Sequence, residues 1–555
     1  MIEIGCKDGE TLLEACQKHH IFVDNVCGGT GICGKCKVRM LTNPVPVSEK
    51  ERQFFSEEEL EAGWRLSCLA KPHGICQIEL PRDGFEELSV VTERVQTKKE
   101  QEKTLGSGVE RTGVRKKQVL IIDIGTTTIA MQRLLCWQEQ EMQWESKVLA
   151  TYTAANRQRV YGVDVLSRIQ FSNEGNGQLL KDAIMETLAK GMERLVGANC
   201  EGADSREDGS GNPVFIDHAS FEDIYIAGNT TMIHLLLGYS CEQLGRAPFK
   251  PVKLEEIETR ASDFFASYLK KSVLSQIEQA KVFIFPGISA FVGGDLVSGL
   301  YDTVFYKAPQ VQLLVDLGTN GEMVVGNRMR LLATSTAAGP AFEGGGISCG
   351  CAGVKGAICG AKRLANGTWQ FDTIGGKAPV GICGSGIVEI IYELLQAGLL
   401  DETGLLAEGN LERVELVEGQ IFVTQQDVRQ FQMAKAAIRA GVETLLRVYE
   451  IEAENLSRIY IAGGFGYFLN LDKATAIGLF PEDFQGKMLA VGNTCLGGLK
   501  AYATNPNSGI LQNIRKYTGE CSLAENAYFQ EKYIQSMDFK CEKIESFQTS
   551  ALGEG

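Results

Sequence analysis

Two stretches of the chain, VLIIDIGTTT at 119 to 128 and LLVDLGTNGE at 313 to 322, are continuous apolar runs that end on an aspartate and then break into glycine and hydroxyl residues. Apolar runs without polar alternation are strands covered on both faces, and the helical periodicity that follows them predicts an α/β region built on parallel strands. Residues 1 to 88 differ, with short alternating strand patterns separated by turns and the densest Gly/Cys segment of the chain, which predicts a small, separate domain. From Thr92 to Lys117 apolar periodicity disappears, so 89–117 reads as a linker. As a flexible coil its reach is about 25 to 30 Å, enough to carry a small domain between two docking positions. The predicted organisation is 1–88, a linker at 89–117, a first subdomain at 118–310, a second at 311–539 and a polar tail at 540–555.

The α/β part repeats itself. Ile122-Asp123-Ile124-Gly125-Thr126-Thr127 returns as Val315-Asp316-Leu317-Gly318-Thr319-Asn320, and Ile224-Tyr225-Ile226-Ala227-Gly228 returns as Ile459-Tyr460-Ile461-Ala462-Gly463. In each half the second element follows the first, which predicts two related subdomains facing one cleft.

Composition narrows the function. At 555 residues, 44% of them hydrophobic, the chain is globular and too long for one ordinary core. A formal charge of -15 without a Lys/Arg-rich face argues against nucleic acid or an anionic membrane as the main partner. The opening MIEIGCKDGE carries Glu3 and Asp8 where a signal peptide is basic and then apolar, and the longest apolar run, Val282 to Leu300, is broken by Pro286, glycines and Asp295. A cytoplasmic protein with no membrane span is expected. Seventeen cysteines then read as reduced thiols and cofactor ligands, and five histidines leave little for imidazole-rich metal sites.

Cys27, Cys33 and Cys36 crowd into a glycine-rich loop, CGGTGICGKC, and Cys68 supplies a fourth thiol from a distance. A [2Fe-2S] cluster needs four thiolates around a compact anionic core, with glycines that let backbone N–H groups approach the sulfurs. Zinc held by four cysteines is the alternative, but it favours two close cysteine pairs, and only Cys33 and Cys36 form one. The same loop matches a dinucleotide fingerprint and nearly a phosphate-binding loop. Both are set aside, because Cys36 stands where a hydroxyl is required and no strand–turn–helix unit surrounds it. Cys6, Cys16 and Cys76 are left as small core or surface residues.

The second constellation is nucleotide chemistry. Gly125, Thr126 and Thr127 offer close backbone approach and hydroxyl donors, and Gly318, Thr319, Asn320 and Gly321 offer the same from the opposite side. Asp123 and Asp316 would hold Mg²⁺, through water at Asp123. Gly463, Gly464 and Gly466 leave room for a flat base. Asp295 is either a helix N-cap or a catalytic carboxylate, and Glu322 either orients water or metal or is a solvated loop residue.

Residues 1 to 85 resemble ferredoxins of the adrenodoxin and plant type, although the opening looks like only the second strand and first helix of such a domain. A larger resemblance rests on Cys27, Cys33, Cys36 and Cys68, then DIGTTT, YIAGNTTM at 225 to 232, PGISAFVGGD at 286 to 295, DLGTNGE, AGPAFEGGGI at 338 to 347, GICGSG at 381 to 386, FQMAKAAIRAG at 431 to 441 and AGGFG. With these the chain resembles the reductive activators of corrinoid-dependent enzymes. The resemblance implies an α+β ferredoxin (β-grasp) domain, a flexible linker, and an α/β domain of the actin, sugar-kinase and heat-shock-chaperone (ASKHA) type made of two RNase H-like subdomains. It adds Gly344 and Gly345 to the nucleotide-binding set.

It also implies ATP hydrolysis coupled to one-electron reduction of Co(II) to Co(I) on a corrinoid protein, of a methyltransferase system or of the corrinoid iron-sulfur type, with an unidentified low-potential reductant as donor and a homodimer as the assembly. One departure is the stretch Ile347-Ser348-Cys349-Gly350-Cys351, where a methionine- or arginine-containing sequence is expected, so partner or nucleotide contacts there differ. Cys349, Cys351, Cys359 and Cys383 read as small residues of glycine-rich turns in preference to a second metal site. Two rivals share these features: a small-molecule kinase with a redox-sensing ferredoxin appendage, and an ATP-gated redox sensor or scaffold.

Overall fold

The computed structural model describes residues 1–19, 21–23, 31, 34, 36–81, 115–138, 143–162, 164–197, 220–409, 412–464 and 468–544. Cys27, Cys33 and Gly466, residues 89–114 of the predicted linker and residues 545–555 of the predicted tail lie outside them.

The N-terminal unit is a four-stranded sheet crossed by one helix. Strands β1 (Ile2–Cys6), β2 (Lys37–Met40), β3 (Trp64–Leu66) and β4 (Gly74–Glu79) lie in the order β1-β4-β2-β3, each pair antiparallel. Helix α1 (Leu12–Lys18) starts at a capping box in which Thr11 and Glu14 satisfy each other's backbone N–H groups. Its Leu12, Leu13, Ala15 and Cys16 pack on Ile4, Val38, Leu66 and Ile78. Strand β1 covers the open side of β4 over five residues, from Ile2 opposite Ile78 to Cys6 opposite Gly74. Cys6, Cys16 and Cys76 are buried core residues, and burial pushes the Cys6 and Cys16 thiols up to about 12, which makes them poor nucleophiles and poor ligands.

The first lobe of the larger unit is a six-stranded sheet of β5 (Arg115–Ile124), β6 (Thr128–Gln138), β7 (Glu145–Ala155), β8 (Phe221–Gly228), β9 (Ile257–Arg260) and β10 (Lys281–Ile284), in the order β7-β6-β5-β8-β10-β9. The second lobe opens with β11 (Gln312–Leu317), β12 (Gly321–Gly326) and β13 (Leu331–Thr336). A three-stranded sheet of β14 (Ala357–Arg363), β15 (Trp369–Thr373) and β16 (Gly381–Ile382) follows, then a hairpin of β17 (Arg413–Val417) and β18 (Ile421–Thr424). Strands β19 (Arg458–Ala462), β20 (Met488–Gly492) and β21 (Thr518–Glu520) complete the main sheet in the order β20-β19-β11-β12-β13-β21.

The two lobes share one topology. In each, the aspartate-bearing strand is antiparallel to the strand after it and parallel to the fourth strand of the repeat. The sequence echo is a register identity, since Asp123 lies opposite Ala227 and Asp316 opposite Ala462. This is the fold of two RNase H-like halves that the sequence led one to expect.

One boundary moves. The predicted linker ran to Lys117, but β5 begins at Arg115, because β6 is long enough to pair it from Gln138 onward and the Lys117 ammonium is held by Asp223 at 2.7 Å and by the ring of Trp144. Within β5, Val119 to Ile122 are fully buried, alternately facing two different cores.

Six helices position the site: α2 (Gly177–Gly197), α3 (Thr230–Leu237), α4 (Gly294–Asp302), α5 (Gly384–Gln396), α6 (Gln425–Tyr449) and α7 (Thr494–Thr504). Helices α4 and α7, one from each lobe, pack directly on each other. A Cβ on Gly498 would lie 1.9 Å from the carbonyl oxygen of Ser298, and one on Gly299 would lie 2.8 Å from the Thr494 hydroxyl. The glycines let the backbones touch, and Leu296, Val297 and Leu300 of α4 share one apolar core with Leu496 and Leu499 of α7 and with strands of both sheets. Among the described residues no helix is long and apolar enough to cross a membrane.

Candidate functional site

The aspartate strands of both lobes end at one cleft of about 210 Å³. Asp123 and Asp316 are each the last residue but one of their strands, β5 and β11, while Gly125 and Gly318 make the tight turns into β6 and β12, their N–H groups donating to the carbonyls of Thr128 and Asn320 at 3.0 Å each. A Cβ at Gly125 would sit 2.7 Å from the Thr128 oxygen, so the first turn needs glycine. The two turns meet: the hydroxyls of Thr127 and Thr319 are 3.0 Å apart, and both donate to the Glu343 carboxylate, at 2.8 and 2.6 Å.

Two asparagines fix the turns from helix N-termini. Asn229, the N-cap of α3, donates to the Thr126 hydroxyl at 2.9 Å while its own oxygen accepts from Met232 N–H. Asn493, the N-cap of α7, donates to Asp123 at 2.8 Å and accepts from Leu496 N–H. Each side chain thus serves a helix and a turn at once.

Asp295 and Glu322 resolve differently from their bland alternatives. The N-cap of α4 is Gly293, and Asp295 stands in the first turn facing the cleft. Glu322 is on β12 and lines the cleft, so it is not a solvated loop residue. Burial and then mutual repulsion raise the carboxyl groups: Asp295 to about 7, Asp316 to about 7 and Glu322 well above its usual range. Asp123 is raised by burial, opposed by the Asn493 amide. Among the described residues the cleft is lined by Asp123, Asp295, Asp316, Glu322 and Glu343 and by no Lys, Arg or His. Nor, among the described residues, does any group of three or more His, Cys, Asp or Glu side chains converge as a ready-made cage for a metal ion.

Gly125, Thr126, Thr127, Gly318, Thr319, Asn320, Gly463 and Gly464 all line the cleft. Gly463 has φ of +106°, and a Cβ there would meet the Leu317 carbonyl at 2.2 Å. Three predicted contacts lie elsewhere. Gly321 abuts Ile438 of α6, Gly344 closes its loop onto the backbone of Cys351, and Gly345 packs on Pro340. Their glycine character serves backbone approach, and it is the preceding Phe342 and Glu343 that reach the cleft. Sequence reasoning missed Glu343, Asn229 and Asn493. The signal for the asparagines was a Gly-Asn-Thr step after an apolar strand, at 228 to 230 and again at 492 to 494.

In the N-terminal unit Cys36 and Cys68 converge with sulfurs 3.1 Å apart, brought together by Ser67 N–H donating to the Cys36 carbonyl at 2.8 Å. Gly34, at φ +67°, lies where a Cβ would come within 2.3 Å of the Phe54 ring. Two close, buried thiols beside a left-handed glycine fit half of a [2Fe-2S] ligand set. Cys349, Cys351 and Cys383 are buried outside the strands, and the Cys383 thiol donates to the Ile358 carbonyl at 3.1 Å, as expected of small core residues; Cys359 departs from the expectation, lying half-buried on β14 and not in a turn.

Comparison with known proteins agrees with both constellations. Residues 2–73 match the family described as the 2Fe-2S iron-sulfur cluster binding domain, 119–308 the RACo middle region, and 310–551 the C-terminal domain of RACo, the ASKHA domain. The first match sets the zinc alternative aside. The chain is 33% identical over 419 residues to the corrinoid activation enzyme RamQ of Eubacterium limosum, covering 71% of this chain and 66% of that protein. It is 28% identical over 354 residues to the [Co(II) methylated amine-specific corrinoid protein] reductase of Methanosarcina barkeri, covering 58% and 64%. The chain thus spans about two thirds of the length of these two relatives. A solved structure of a reductive activator for corrinoid, iron-sulfur protein superposes with a TM-score of 0.64 at 26% identity, covering 97% of this chain and 96% of that one. With an iron-sulfur domain ahead of two lobes that meet at paired Asp-x-Gly-Thr turns, and with all three regions matched in order, the chain belongs to the RACo family.

Proposed function

We propose that the protein is an ATP-hydrolysing activase that delivers one electron to a corrinoid protein, taking its cobalt from Co(II) to Co(I). The reading is carried by the meeting of Thr127 and Thr319 across a cleft rich in carboxylates, in the same chain as the Cys36–Cys68 thiol pair. Phosphate would be gripped between the turns at Gly125, Thr126 and Thr127 and at Gly318, Thr319 and Asn320, with adenosine beside Gly463 and Gly464. The charge of the cleft bears on the cofactor. Five carboxylates without a basic side chain repel a triphosphate, so the nucleotide enters together with a divalent cation, and Mg²⁺ suits a site that keeps its waters. Asp123, Asp295, Asp316 and Glu322 would hold that hydrated ion and position the attacking water, and binding it draws their raised carboxyl groups back to the ionised form.

Held by Cys27, Cys33, Cys36 and Cys68, a [2Fe-2S] cluster supplies a one-electron relay. The chain's task is to make uphill transfer happen: in a one-electron couple each roughly 59 mV costs a factor of ten in equilibrium, so nucleotide chemistry must bias the complex toward a productive state. A low-potential reductant would load the N-terminal unit, residues 1–88, and the two subdomains at 118–310 and 311–539 would couple ATP to its movement. The corrinoid partner belongs to a methyltransferase or a corrinoid iron-sulfur protein, in the cytoplasm, with the activator as a homodimer.

The test mixes anaerobically reduced protein, a panel of cob(II) corrinoid proteins and Mg·ATP, and follows the cob(I) absorption band. Wild type should form cob(I) only with ATP, and Asp316→Ala should form none while its cluster spectrum stays that of wild type. Undiminished reduction by Asp316→Ala would sink the coupling.

A further inference from the structure

Between helix α1 and the first cluster cysteine the chain reads Ile21-Phe22-Val23. Ile21 and Val23 turn into the core of the iron-sulfur domain, and Phe22 between them points out of it. Its ring packs against an apolar cluster of Ala155, Cys351, Val354, Ala357 and Cys383, and the Arg157 guanidinium lies 5.6 Å above it. Arg157 is itself anchored by Glu186. Ala155 ends β7 and Arg157 follows it, both in the first lobe, while Cys351, Val354, Ala357 and Cys383 belong to the second. One side chain of the iron-sulfur domain therefore rests on both lobes.

The receiving wall is thin. Ala352, Ile374 and Cys383 touch the cluster that seats Phe22 and also line the nucleotide cleft. A seat made from two lobes exists only at one lobe separation. In this structure Glu343 ties the two lobes together at the cleft, accepting from Thr127 of one lobe and Thr319 of the other.

We infer that Phe22 is the residue by which the iron-sulfur domain docks across both lobes, and that docking and nucleotide binding oppose each other through the wall of Ala352, Ile374 and Cys383. Phosphate between the two turns must part Thr127, Thr319 and Glu343. The lobes then shift, Ala155 and Val354 no longer frame one seat, and the domain that carries the cysteine loop, five residues beyond Phe22, is released toward its partner. The inference rests on the nucleotide reading of the cleft. Linkage is reciprocal: whatever factor nucleotide removes from docking, loss of docking must return to nucleotide affinity.

The experiment uses the full-length holoprotein with Mg·AMP-PNP, measuring the radius of gyration by small-angle scattering and affinity by titration. Bound AMP-PNP should enlarge wild type. Phe22→Asp should be enlarged already, should expand no further with nucleotide, and should bind AMP-PNP roughly fivefold tighter or more. Val354→Asp, on the receiving face, should do the same, and an unchanged cluster spectrum shows that the iron-sulfur domain remains folded. Wild type that binds AMP-PNP without expanding, or variants with wild-type affinity, would overturn the linkage and leave the electron-transfer reading standing. Intact linkage with no cob(I) formed would do the reverse, and failure of wild type to bind AMP-PNP would overturn both.

Discussion

The hydroxyl of Thr127 lies 3.0 Å from the hydroxyl of Thr319, 192 positions further along the chain, and the Glu343 carboxylate accepts from both. A carboxylate therefore occupies the point where two turns of opposite lobes present donors suited to phosphate oxygens. On the proposed reading it would compete with the nucleotide for those hydroxyls and repel its charge. Glu343→Gln keeps the shape and removes the charge, so ATP should bind more tightly, by roughly three- to tenfold, or about 0.7 to 1.4 kcal/mol. Equal or weaker binding by titration would mean that phosphate does not take the place of that carboxylate.

On the proposed reading Cys36 and Cys68, whose sulfurs lie 3.1 Å apart, would supply two of the four thiols, and three thiols are a poor substitute for four around two irons. Cys68→Ala should be purified without the visible absorption and acid-labile sulfide of wild type and should form no cob(I). Its ATP hydrolysis at saturating ATP should persist, because among the described residues the cleft takes no side chain from the iron-sulfur domain. A coloured, sulfide-bearing variant would count against Cys68 as a ligand.

Helices α4 and α7 meet at Gly498, where a Cβ would fall 1.9 Å from the Ser298 carbonyl oxygen. Backbone cannot give way as a flexible side chain can, so Gly498→Val must push the two lobes apart or unfold them. The expected cost is about 3 kcal/mol or more, read as a fall in Tm. A variant as stable as wild type would show that the helices do not pack this closely.

His234 gives stability a pH dependence. It is buried; its Nδ1 donates to the Thr230 carbonyl at 2.7 Å and its Nε2 accepts from Val252 N–H at 3.0 Å, so the neutral ring is the one that fits. Burial holds its pKa below the usual 6.5, and the unfolded chain consequently takes up a proton that the folded chain refuses as pH falls through that value. Stability from this site is complete above pH 6.5 and is lost as pH falls toward the folded-state pKa. His234→Gln should be less stable than wild type at pH 7.5, by about 1 to 3 kcal/mol for a disturbed buried hydrogen-bond pair. The gap should narrow at pH 5.5 in urea unfolding, and a gap that widens would reverse the assignment.

Local chemistry carried a great deal of this in the sequence. The apolar strands ending at Asp123 and Asp316 could only be buried, and their echo showed two related halves, which the register of Asp123 opposite Ala227 and of Asp316 opposite Ala462 bears out. The spacing of Cys27, Cys33, Cys36 and Cys68 pointed to an iron-sulfur domain because three thiols in one glycine-rich loop and a fourth from a distant segment have few other uses. These are properties of short segments, written in residue type and interval.

What only the tertiary structure decided is which segments face one another. Glu343 sits in a glycine-rich run where the glycines attract attention, yet it is the carboxylate that reaches Thr127 and Thr319, while Gly344 and Gly345 merely shape its loop. Asn493 serves Asp123 across 370 positions, and Phe22 finds its seat between residues of two lobes that lie 196 or more positions apart. Such pairings depend on the stacking of helices α4 and α7 and on the separation of the lobes, which arise from packing summed over the whole core and leave no trace in any one interval of sequence.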